Sequence, residues 1–230
     1  CIYHGVGMII VNGTNRHDNE EVLKLVKRYD IVYGALGIQP EEINDYTEDN
    51  LRFIEEHIDD DKILAVGEIG LDYHYECDKE LQKELFKKQL DIAKRHNKPV
   101  IIHSRDCITE TYNILKETNV KGIMHCYSGS VEMAKEFVKI GFLLGIGGVS
   151  TFKNASKILD VIKNIPLEYI VLETDAPYLS PEPYRGKRNE PCNVSVILKK
   201  ICEIKGINYK DASDVTTRNV FRLFDKQLKL

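Results

Sequence analysis

Four residues carry the chemistry that this sequence offers. They are Glu68 in V-G-E-I-G-L-D, His103 in P-V-I-I-H-S-R, His125 in G-I-M-H-C-Y-S-G and Asp175 in V-L-E-T-D-A-P. Each lies near the end of a short, β-rich apolar run. A carboxylate placed after a buried Val-Gly is costly unless it is paired or bound to metal. Imidazole and carboxylate together make a mixed nitrogen and oxygen donor set, suited to Zn, Mn, Fe or, with more oxygen, Mg. Such an ion activates water and neutralises a developing oxyanion, as in phosphoester or amide hydrolysis. Each residue alone has a plainer role. A histidine ending a buried strand is often hydrogen-bonded core, Asp175 could cap a helix or sit in a loop, and Glu173 could be a salt-bridge partner. All four at one kind of position favour the metal.

The elements that must position them follow from hydrophobic pattern. Apolar runs at 6–11, 31–38, 63–69, 99–103, 122–126, 142–146 and 169–173 lack period-two alternation, as parallel strands covered on both faces do. Amphipathic stretches at 19–29, 79–96, 108–117, 131–140, 155–164, 194–205 and 211–224 separate them. This alternation implies right-handed βαβ units and a parallel sheet. The expected fold is α/β, a (β/α)8 TIM barrel over one domain, 1–230, whose first strand lies upstream of Cys1. In such a barrel the C-terminal strand ends converge on one mouth, where chemistry sits. A doubly wound open sheet is the alternative, but no G-x-G-x-x-G follows a first strand. The one long irregular stretch, 175–194, has the length of a functional loop.

Composition bounds the setting. The 230 residues are 43% hydrophobic and 30% charged, ordinary for a globular protein. No apolar run reaches the roughly 18 residues that a bilayer span needs, and no charged-then-apolar segment opens the sequence. Cysteines at 1, 77, 107, 126, 192 and 202 form no C-x-x-C pair, which reads as reduced thiols in a cytoplasmic protein. A net charge of −4 argues against broad coating of nucleic acid. It leaves a nucleic-acid substrate open, since bound metal and local arginines supply positive potential. Arg105 and Tyr127 follow the two histidines and suit phosphate contact and base stacking. Arg185, Lys187 and Arg188 form a basic cluster on the long loop. His74, close after G-L-D, is the remaining histidine near the mouth; the others read as surface residues.

Five motifs in order, G-E-I-G-L-D-Y, P-V-I-I-H-S-R, H-C-Y-S-G, E-T-D-A-P-Y-L and R-G-K-R-N-E-P, resemble the TatD family of metal-dependent deoxyribonucleases over nearly the whole chain. The resemblance implies a phosphodiesterase acting on DNA, a 3′-to-5′ exonuclease with two divalent ions, Mg or Mn, with Zn as the alternative; a monomer is the expected state. It implies that Glu68 bridges the ions, that His103 and His125 hold one, and that Asp175 holds the other and orients or deprotonates water. Arg105, Tyr127, Arg185 and Arg188 would grip the DNA.

Two departures stand out. The family's first strand ends in H-x-H, and this chain has none. The expectation is that roughly 25 residues of strand and loop precede Cys1. Where the family often has G-I-H-P, this chain has Gly37-Ile38-Gln39-Pro40, so Gln39 would tune phosphate contact as a neutral amide. Two other functions compete. One is an ester or amide hydrolase such as an aminoacyl-tRNA deacylase, and the other a catalytically impaired member that binds nucleic acid.

Overall fold

The computed structural model describes residues 1–225, with the exception of the side chain of Asp45. The chain divides into two compact units, Met8–Ile123 and Cys1–Gly7 with Met124–Leu223. Both are built from parallel strands alternating with helices.

In the first unit, β1 (Ile9–Asn12), β2 (Val32–Leu36), β3 (Ile63–Asp72) and β4 (Val100–Arg105) pair in parallel in chain order. The intervening helices are α1 (Arg16–Arg28), α2 (Glu48–His57) and α3 (Lys79–Arg95), and α4 (Ile108–Leu115) follows β4. Their starts are written in the sequence. Asn15 caps α1 through Asp18 N–H, Thr47 caps α2 through Asn50 N–H, and Asp78 accepts from Glu80 and Leu81 at the start of α3. Lys27 and Arg28 close α1 at its negative end, as Lys94 and Arg95 close α3.

All ten residues of β3 are buried. The apolar run predicted to stop at 69 continues to Asp72, which carries an acidic residue into the sheet. Pairing between β3 and β4 shifts register between Val66 and Ile69, the irregularity that contains Glu68, and resumes with Gly70 opposite His103. Gly70 has φ +148°, and a Cβ there would stand 1.9 Å from the His103 carbonyl oxygen. Only glycine allows this approach.

Three buried amides on helix faces hold the loops of this unit. Asn19 on α1 satisfies both backbone groups of Gly37, and Gln89 on α3 does the same for Ile38. Gln82 accepts from Asp72 N–H and donates to the Pro40 carbonyl. The G-I-Q-P segment is thus fixed from α1 and α3.

In the second unit, β6 (Phe142–Ile146) pairs in parallel with β7 (Ile170–Leu172). Around them lie α5 (Val131–Lys139), α6 (Ser156–Asn164), α7 (Val194–Lys205) and α8 (Tyr209–Phe224); β5 (Gly122–Met124) straddles the division between units. Asn219 on α8 donates to the carbonyls of Leu167 and Ile170, anchoring the last helix at the start of β7. Ser130 caps α5, and Gly206, in the left-handed region, ends α7. Among the described residues no helix is long and apolar enough to cross a membrane.

Candidate metal centre

Each unit carries one strand-end histidine held between two carboxylates; His96, at the end of α3, also lies between two acids, Asp59 and Glu55, but away from the strand ends. In the first, Glu68 and Asp72 are four residues apart on β3, and Gly70, between them, faces His103 on β4. Side chains at that spacing share a face of a strand. The imidazole fits between the acids, with Nδ1 2.9 Å from Glu68 Oε1 and Nε2 2.8 Å from Asp72 Oδ2. Asp72 is only 3% exposed and also accepts the backbone N–H of His74 at 2.8 Å. Burial pushes its carboxyl up, but hydrogen bonds from His103 and His74 outweigh this and hold it below the usual range. Burial would likewise lower the His103 imidazole, yet its bonds to Asp72 and Glu68 raise it to about 9.

In the second unit His125 follows β5, and Glu173 and Asp175 follow β7. His125 Nδ1 lies 2.8 Å from Glu173 Oε2, and Nε2 lies 3.3 Å from Asp175 Oδ1. Cys126, at φ 42°, turns the chain so that its N–H donates to the same Glu173 oxygen at 3.1 Å. The glycines around β6 make room for this acid. A Cβ on Gly145 would meet Glu173 Oε2 at 2.4 Å, and one on Gly147 would meet Oε1 at 3.1 Å. Among the described residues Glu173 Oε1 is buried with no hydrogen-bond partner.

The stoichiometry of two carboxylates to one imidazole leaves each cluster short of positive charge. Buried acids in that state call for a cation. The orphaned Glu173 oxygen and the N/O donor set both fit a divalent ion. Among the described residues no three donors surround a common point as a finished cage, because each imidazole is closed onto its carboxylates.

The other predicted residues fall as follows. Arg105 is exposed at the end of β4, its guanidinium 5.5 Å from the ring centroid of Tyr75. Gln39 donates its side-chain amide to Glu41. Arg185, Lys187 and Arg188 are exposed on the long loop, with Arg185 stacked 4.3 Å from the Phe152 ring centroid. Tyr127, expected to stack on bases, is 4% exposed; its hydroxyl donates to the Ser130 carbonyl and its ring packs edge-on to Phe137. Its position after a strand end pointed to the mouth, but the turn at Cys126 sends it into the core. Asp72 was missed, although the acid in G-E-I-G-L-D, four residues beyond Glu68, was the available signal.

A sequence model described as TatD related DNase matches residues 1–225. The chain is similar to an uncharacterised metal-dependent hydrolase of Bacillus subtilis, YabD, at 43% identity over 95% of this chain and 88% of the relative. It is also similar to the crystal structure of YjjV, a TatD homologue from Escherichia coli. The TM-score is 0.91 and the identity 34%, over 96% of this chain and 88% of that one. The organophosphorus hydrolase of Deinococcus radiodurans, at TM-score 0.65 and 13% identity over 97% and 80% of the two chains, shares the fold alone. The fold is therefore of the β/α TIM-barrel class, and the chain belongs to the TatD-related DNase family.

Proposed function

We propose that this protein is a divalent-metal-dependent hydrolase of DNA phosphodiester bonds, releasing nucleotides from the 3′ end. The observation that carries the reading is the repeated imidazole between two carboxylates, His103 with Glu68 and Asp72, and His125 with Glu173 and Asp175. The family match and the metal-dependent hydrolases among the relatives support it. The match over 1–225 supports treating the chain as one catalytic domain.

Glu68, His103, His125 and Asp175 are the residues that would hold two such ions, magnesium or manganese. When bound, these supply Lewis acidity toward the phosphate and toward water. The protein's own groups do the rest. Asp72 and Glu173 orient the imidazoles, each anchored by a backbone N–H. Asp175, the most exposed of the four carboxylates at 32%, takes the proton of the attacking water. Arg105 and the 185–188 cluster carry the cationic charge that grips phosphate.

The test is incubation of the full-length protein with 5′-labelled single-stranded DNA and Mg²⁺ or Mn²⁺. The expected result is a ladder shortening from the 3′ end, stopped by EDTA. A folded protein that leaves DNA intact but deacylates charged tRNA would replace the reading with the ester-hydrolase alternative.

A further inference from the structure

The loop that follows β3 carries a feature that the metal chemistry does not use. Tyr75 is 61% exposed, yet its ring is held in place. The Arg105 guanidinium lies 5.5 Å from its centroid, and the His74 ring meets it edge-on at 4.8 Å and 82°. His74 is fixed in turn, with Nδ1 2.9 Å from Asp106 Oδ2 and its backbone N–H on Asp72 Oδ1 at 2.8 Å. Tyr73 N–H donates to the Arg105 carbonyl at 2.9 Å, tying the loop to the end of β4.

A single exposed tyrosine means little by itself. This one is braced by a cation and an imidazole, and its brace runs through Asp72 to His103. The arrangement joins a π face to a guanidinium beside the His103–Glu68–Asp72 cluster. A stacked base and its adjoining phosphate present the matching pair, a π face and an anion. Interior bases of a duplex are already stacked on both sides, whereas those of a single strand can splay out onto an aromatic ring, so the matching ligand is a single strand. We propose that Tyr75 and Arg105 form the platform on which a nucleobase of single-stranded substrate stacks, with Arg105 on its phosphate. This rests on the DNA reading above and assigns to Tyr75 the stacking that the buried Tyr127 cannot provide.

Binding in EDTA separates the platform from the chemistry. Labelled oligothymidylate and an abasic oligomer of equal length and charge are titrated at low salt by fluorescence anisotropy. Wild type should bind the base-bearing strand at least about fivefold more tightly, the lower end of what one stacked base contributes. Tyr75→Ala should bind both strands at the abasic level, Tyr75→Phe should keep the preference, and Arg105→Ala should weaken both strands and lose part of the preference with the brace on Tyr75. Circular dichroism establishes that each variant is folded. A Tyr75→Ala protein that keeps the base preference, or a wild type without one, overturns the platform. If wild type still shortens DNA with Mg²⁺ in that case, the hydrolase reading stands; if it neither binds nor cuts DNA, both fall.

Discussion

His103 Nε2 stands 2.8 Å from Oδ2 of Asp72, a carboxylate buried in β3 and already fixed by a backbone N–H. The bond gives the imidazole a set orientation, with Nδ1 turned to Glu68, and an ion held there would have to displace the Nδ1 proton. Outer carboxylates of this kind typically contribute 10–100-fold to metal affinity, by order of magnitude about 1–3 kcal/mol.

Asp72→Asn should therefore weaken Mn²⁺ binding by about 10–100-fold in a calorimetric titration. It should also shift the ¹⁵N signals of His103 in the metal-free protein and lower the pH at which they titrate, because the imidazole loses the Asp72 charge that helps to hold it raised. Unchanged affinity with unchanged imidazole signals would show Asp72 to be only a structural acid.

Glu68→Gln should cost more activity than Arg105→Ala or Lys187→Ala. Glu68 contacts the His103 imidazole from within β3, while Arg105 and Lys187 are exposed. Loss of a ligand should exceed about 100-fold in kcat/KM, above what outer partners contribute. Equal small losses across the three variants would contradict its place as a ligand.

Much of this was legible in the sequence because burial leaves a plain signature. The runs at 142–146 and 63–69 mark β6 and most of β3, and the helices at 79–96 and 194–205 coincide with α3 and α7 within a residue. What escaped was decided by tertiary packing. Asp72 reads as a loop residue because a charged side chain ends an apolar run, yet Gln82 takes its N–H and His103 its carboxylate. α2 was overlooked although Leu51, Ile54 and Ile58 recur at helical spacing behind the Thr47 cap. Asn19, Gln82 and Gln89 look like a solvated helix face until the backbone groups they satisfy are known. Tyr127 was misplaced because one left-handed residue, Cys126, reverses where the next side chain points.

Asn19→Ala should destabilise the protein by about 2–4 kcal/mol, since it leaves a buried N–H and a buried carbonyl of Gly37 without partners. Urea unfolding measures this as a lower midpoint with little change in slope. The same change next to Gln39 should also loosen the loop after β2. A midpoint within experimental error of wild type would show that Gly37 finds another partner.

Asn189 sets the last expectation. It is 2% exposed, and its amide donates to the carbonyls of Thr174 at 2.6 Å and Tyr178 at 2.7 Å. Its Oδ1 accepts from Glu190 N–H and from the Asn193 side chain, both at 2.9 Å. One side chain thus closes the long loop onto the residue before Asp175. Asn189→Ala removes these bonds at a cost of about 1–3 kcal/mol and frees the exposed Arg185, Lys187 and Arg188. Trypsin should then cut the loop several times faster than in wild type, and nucleotide release should fall because Asp175 is no longer held at a fixed distance from His125. Since the bonds are local to the loop, the urea midpoint should drop less than for Asn19→Ala. Unaltered proteolysis would mean that the loop is held by other contacts and that Asn189 is incidental to the position of Asp175.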